Sequence, residues 1–191
     1  MTRDLFTAAL LVLFALGTAQ CGKPTPPPLA YSKLGIPMRD GRPDLSLVSI
    51  TLSRSPCYGW CPCYEVTLLG SGKGAYVGHM NVVVEGRAAF EFQPEALAPV
   101  LELLESLDFM QMRHDADGVV FDAPFAQIEL SIEGRSAIFK SAWLQFCNED
   151  AEPAHTDFHR RFVRAVDGVD RIADIDRWIG SEDLRQKRFD R

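Results

Sequence analysis

Residues 54–66 read RSPCYGWCPCYEV, which gathers Cys57, Cys61 and Cys63, three of the chain's five cysteines, at one point. On both sides of this cluster the pattern alternates. Val48, Ile50 and Leu52 interleave with Ser49, Thr51 and Ser53 before it; Tyr64, Val66 and Leu68 interleave with Glu65 and Thr67 after it. A period of two is that of a strand with one buried face, so the cysteines sit in the connection between two strands. All three stand beside prolines. Three chemistries fit such a cluster: metal ligation, a redox pair, or staples for a turn.

The rest of the pattern extends the sheet. GSGKG, residues 70–74, is a hairpin signal, and AYVGHMNVVV and RAAFEF supply further strand material. Pro94 is suited to a first helical position, and Leu97, Leu101, Leu104 and Leu107 then fall on one helical face. Pro99 moves the start of that helix toward itself. Ile128, Leu130 and Ile132 alternate with Gln127, Glu129 and Ser131, and Glu133-Gly134 turns the chain back into RSAIFK. A last helical region runs from about Pro153, with Phe158, Phe162 and Val166 as its stripe, and continues through Ile172 and Ile175 to Trp178. Strands, helix, hairpin, helix is the order of an α+β domain: an antiparallel sheet with two helices on one face. The stripes Val48, Ile50, Leu52 and Leu97, Leu101, Leu104 are expected to share one core.

At the start, Arg3 precedes an apolar run from Leu5 to Gly17. That run is about thirteen residues, short of the roughly 20 that span a bilayer, and has the proportions of a secretory signal peptide over residues 1–20. Gly17-Thr18-Ala19 offers small residues for a signal peptidase, whereas Cys21 stands where a lipoprotein cysteine would accept a lipid, with Gln20 before it arguing against that. Export is expected in either case, and only the second would bring contact with a membrane, through a lipid on Cys21. Residues 21–44 carry Pro24, Pro26, Pro27, Pro28, Pro37 and Pro43 and read as a flexible, extended linker. One domain follows over 45–180, and SEDLRQKRFDR, residues 181–191, reads as a solvated charged tail. A formal charge of −6 with no basic run argues against nucleic acid as a partner.

The stretch ITLSRSPCYGWCPCYEVTLLGSGKGAYVG resembles a bacterial envelope family catalogued as domain of unknown function 6438, whose members show a strand, a Cys-aromatic-Gly-x-Cys-Pro-x-Tyr turn and a second strand ending in a glycine hairpin. The likeness continues through FDAPFAQIELSIEGRSAIFK and closes on IADIDRWIG, covering residues 47–180. It implies a scaffold and an envelope location, and no chemistry. Cys57 and Cys61 match the family's two turn cysteines; Cys63 and Cys147 are additional to them.

Cysteines of an exported chain pair by default, and setting Cys21 aside four remain, with three connectivities. Cys61 and Cys63 are too close to bond easily. Gly59 can take the positive φ of a tight loop, which favours Cys57–Cys61 and leaves Cys63 for Cys147. The metal alternative, a four-thiolate shell from the same residues, lacks a usual knuckle spacing, and C-x3-C lacks the two-residue spacing of thioredoxin-like redox motifs. His155 and His159 lie one helical turn apart without a third ligand and read as a polar flank; Asp115, Asp117 and Asp122 read as a solvated loop. No nucleophile, phosphate-loop or zincin motif is present, so neither a cofactor, a metal nor catalysis is expected. Tyr58, Trp60 and Tyr64 form either core or a binding patch. The expectation is an exported, non-catalytic binding or structural domain stapled by disulfides, acting on an envelope protein or ligand. The alternative is a metal-binding or thiol-redox protein working at Cys57–Cys63.

Overall fold

The alternating segments pair as their pattern dictates, because every second side chain needs the same buried face. The computed structural model describes residues 31–57, 59–112, 124–142 and 153–189. Six antiparallel strands form the main sheet: β3 (Val48–Arg54), β4 (Cys63–Leu69), β5 (Lys73–Met80), β6 (Gly86–Glu91), β7 (Phe125–Ile132) and β8 (Arg135–Ala142). Their spatial order is β6-β5-β4-β3-β7-β8. A short hairpin of β1 (Met38–Arg39) and β2 (Arg42–Pro43) precedes them.

One face of the sheet is apolar. Val48, Ile50 and Leu52 of β3, Tyr64, Val66 and Leu68 of β4, and Ile128, Leu130 and Ile132 of β7 are buried on it. The other face of the central strands is polar, with Thr51 and Thr67 hydroxyls 3.2 Å apart and Ser53 donating to Glu65. The helices cover the apolar face. A turn of 3-10 helix, Pro94–Leu97, leads into α1 (Ala98–Ser106), with Pro99 in its first turn, where a missing N–H costs nothing. Leu97, Leu101 and Leu104 join the β3 stripe in a single buried cluster, as their spacing requires.

The twenty residues of α2 (Pro153–Ile172) span about 30 Å, more than the width of six strands set about 4.8 Å apart. The helix uses that length to cross the sheet. At its first half Phe158 and Phe162 meet Phe139 of β8 edge-on, at 5.1 and 4.9 Å between centroids. Toward its end Asp170 reaches Tyr64 of β4. After a break at Asp174, α3 (Asp176–Ile179) lays Trp178 on Tyr76 of β5, stacked at 5.2 Å, and against Phe90 of β6. The α+β class therefore holds.

Two boundaries differ from the pattern-based ones. Prolines suggested an extended linker up to residue 44, yet Tyr31, Leu34 and Ile36 are buried in the core and Asp44 caps a 3-10 turn. Three apolar side chains at close spacing are enough to dock this segment despite its prolines. The tail read as solvated carries a further helix, α4 (Glu182–Phe189), whose side chains are mostly exposed. Residues 1–30, with the signal segment and Cys21, lie outside the described residues, as do Tyr58, Asp115, Asp117, Asp122 and Cys147.

Candidate functional site

β3 ends and β4 begins at the same edge of the sheet where β5 passes into β6, and three chain segments meet there: residues 55–62, residues 80–85, and α3 with α4. The sequence explains how each is held. A disulfide joins Cys57 and Cys61 with α-carbons 5.5 Å apart, inside the range that an unstrained bond needs. The loop it closes turns at Gly59, whose φ of 149° is open to glycine and resisted by other residues. Gly59 N–H donates to the Cys57 carbonyl at 2.9 Å. Asn81 then fixes the loop from outside: its Nδ2 donates to the carbonyls of Gly59 and Cys61, each at 3.1 Å. Asn81 itself sits at a φ of 57°, a conformation asparagine tolerates better than most residues.

Beneath the loop lies a polar cluster that the sequence pattern did not reveal. Arg54 and Tyr64 face each other across the β3–β4 ladder, one residue before and one after the connection's flanking segment. Both side chains end on one carboxylate. Arg54 Nη2 meets Asp170 Oδ2 at 2.5 Å, and the Tyr64 hydroxyl donates to Asp170 Oδ1 at 2.7 Å. Asp170 is 8% exposed. Burial pushes its carboxyl above the ordinary carboxylate range, while Arg54 and the two hydrogen bonds pull it back. Burial alone would lower the Arg54 guanidinium, but Asp170 holds it above its ordinary value. The Tyr64 hydroxyl is pushed up strongly, by burial first and by the neighbouring Asp170 charge second. Such a cluster is a clamp: a charge buried with its partners is satisfied, and removing one partner strands the others. A signal for it existed. Asp170 stands four residues after Val166 on the apolar stripe of α2, a place where a lone carboxylate needs a partner.

The structure divides the aromatic trio. Tyr64, a candidate for a binding patch, belongs to the core: it points to the inward face of β4 at 2% exposure and is tied to Asp170. Trp60 is 36% exposed, and its Nε1 lies 3.4 Å from Glu182 Oε1 of α4. Met80, Val83 and Leu184, also exposed, lie at the same end of the sheet. A methyl placed on Gly180 would meet Val83 Cγ2, with Leu184 Cδ1 at 3.8 Å, so these two side chains converge on that glycine. Val83 and Val84 N–H donate to the Trp178 carbonyl, which locks the β5–β6 loop to α3. Of the six exposed large apolar side chains among the described residues, these four gather at the disulfide-closed end; Met38 and Leu69 lie at the other.

Cys63 opens β4 on the polar face with Glu65 and Thr67, at a bulge where Met80 rather than His79 pairs with it. It is half-buried, and burial pushes its thiol up. No disulfide joins it to another described residue. His159 Nδ1 lies 3.3 Å from the Ser141 hydroxyl, beside the phenylalanine stripe. Among the described residues no group of three histidine, cysteine or acidic side chains is placed to hold a metal ion. No helix among them is long and apolar enough to cross a membrane.

A model of the family described as a domain of unknown function (DUF6438) matches residues 48–162, more than half of the chain. No curated protein matches it.

Proposed function

The chain belongs to the DUF6438 family, and from that premise we propose that it is an exported, non-catalytic envelope domain that holds another envelope component against its cysteine turn. The observation that carries this reading is the gathering of Trp60, Met80, Val83 and Leu184 around a loop fixed by a disulfide, Asn81 and α4. Exposed apolar side chains collected in one patch, with tryptophan among them, are typical of contact surfaces. A loop fixed in advance loses little freedom on binding, which favours affinity.

Export is supported by the apolar run of signal length at Leu5–Gly17, and a lipid anchor by the position of Cys21 ahead of a proline-rich stretch. The mature protein then lacks residues 1–20 and carries its lipid on Cys21. Its stapling is completed by Cys63 with Cys147. From Ala142, at the same edge of the sheet as Cys63, five residues reach about 17 Å when extended, and three strand spacings separate β8 from β4 by about 14 Å.

The contact is tested by placing a photo-crosslinking p-benzoylphenylalanine at position 60, 83 or 184 of the full chain in cells that export it, with positions 38 and 69 as controls. The same adduct from the first three positions and none from the controls is expected. No adduct from position 60, or equal adducts from the controls, overturns the reading. For the anchor, palmitate labelling that disappears in Cys21→Ser is expected, and an intact Met1 in the purified native protein contradicts export.

A further inference from the structure

The base of the connection between β3 and β4 is held at two levels, first to β4 and α2 and then, on the β3 side, to β7. At its base, Arg54 pairs with Tyr64 in the ladder and both side chains are gripped by Asp170. Just above, Ser55 N–H donates to the Phe125 carbonyl at 3.0 Å, and Phe125 N–H donates to the Ser55 hydroxyl at 2.8 Å. Neither of these levels involves a cysteine. The disulfide acts further out, on a loop of four-residue separation whose two cysteines are half-buried and outside any strand. A bond that closes so short a loop contributes little to the stability of the whole chain, whereas the ladder and the carboxylate clamp hold the sheet without it. Held by the bond instead is the outer loop: Gly59 and Cys61 carbonyls on Asn81, and Trp60 against Glu182.

We propose that the Cys57–Cys61 disulfide is a reducible latch: a dithiol reductant opens it in the folded protein, releasing Trp60 from α4 while the sheet stays intact. One thiolate of the reductant attacks a cysteine sulfur, breaking the Cys57–Cys61 bond and forming a mixed disulfide with that cysteine. The reductant's second thiolate then displaces this cysteine and closes the reductant into its own cyclic disulfide. Two electrons pass to the protein, both cysteines leave as thiols, and the two protons they take come from the dithiol. The latch itself follows from this two-level hold on the base. Its consequence, that reduction disassembles the patch of Trp60, Met80, Val83 and Leu184, rests on the contact reading given above.

The test treats the folded full chain with dithiothreitol without denaturant, alkylates at intervals and follows amide exchange segment by segment. Cys57 and Cys61 are expected to alkylate under native conditions, with exchange in residues 57–62 rising about 10-fold or more and that in 48–54 and 64–68 within about 2-fold of the oxidised protein. The Cys57→Ser/Cys61→Ser double variant is expected to fold and to show the same local pattern, its unfolding midpoint lowered by less than about 10 °C. Resistance of the bond until denaturant is added overturns the latch, as does exchange rising across β3 and β4 together, or a double variant that does not fold. Crosslinking from position 60 that is lost on reduction supports control of the contact. Crosslinking that survives local opening overturns that control and leaves the latch, and absence of a crosslink from the oxidised chain counts against the contact reading alone.

Discussion

The β7–β8 hairpin and the β3–β4 hairpin lie side by side in one sheet and turn in opposite ways. Between β7 and β8 the chain reverses in two residues, Glu133 and Gly134, with φ of 51° and 80°. Positive φ at both central positions is the hairpin turn whose twist matches its strands, and it carries no cross-link, only a bond from Glu133 N–H to the Leu47 carbonyl at 3.1 Å beside it. Between β3 and β4 the connection is longer, residues 55–62, and distant groups hold it: Asp170 from α2 at its base, and a disulfide with Asn81 from the next loop further out. A connection that could have been made in two residues is here longer, cross-linked and surrounded by exposed apolar side chains. Long loops fixed on a rigid scaffold are where proteins often carry function, and that difference is a ground for placing the proposed contact at the β3–β4 end.

The β3–β4 connection depends most on the clamp. Asp170→Ala leaves the Arg54 guanidinium buried without its carboxylate and the Tyr64 hydroxyl without its acceptor. Loss of a partner from a buried pair costs about 3–5 kcal/mol, to be read from denaturant unfolding. A loss within about 0.5 kcal/mol would mean that the base of the β3–β4 connection is held by the ladder alone. A smaller effect sharpens the other side. Gly134→Ala meets no atom within 4 Å, so its cost is the conformational one of a positive φ, about 1 kcal/mol, visible as a shift of a few degrees in the thermal midpoint. A much larger cost would show that this hairpin too depends on its surroundings. Trp60→Ala should have the least effect on stability, within about 0.5 kcal/mol, while removing the contact made from that position.

The strands were legible in the sequence because a half-buried sheet imposes a period of two, and β3, β4 and β7 alternate without a break. The leucine stripe of α1 and the phenylalanine stripe of α2 were legible for the same reason at the helical period. What escaped was set by tertiary contact. Tyr31, Leu34 and Ile36 dock a segment whose prolines suggested a spacer, and α4 forms from a stretch with both charges and no apolar face. The clamp escaped because Arg54 and Asp170 stand 116 positions apart, and Tyr64 and Asp170 106. Tyr64 stood open between core and contact, and its place on the stripe with Val66 and Leu68 already pointed to the core, where it is buried against Asp170. Of the candidate site, the disulfide and Trp60 could be named from the turn; Asn81 and Glu182 could not, since neither belongs to a motif.

The contact and the latch placed at this end of the molecule both depend on the cysteine turn being covalently closed. The direct measurement is a disulfide map of the protein purified without reductant: free thiols alkylated first, peptides separated unreduced, and metal content determined on the same sample. Cys57 linked to Cys61, Cys63 linked to Cys147, and no bound metal is the expected result. Cys57 and Cys61 both alkylated before reduction, or a stoichiometric zinc or copper ion lost together with cysteine protection, would contradict it.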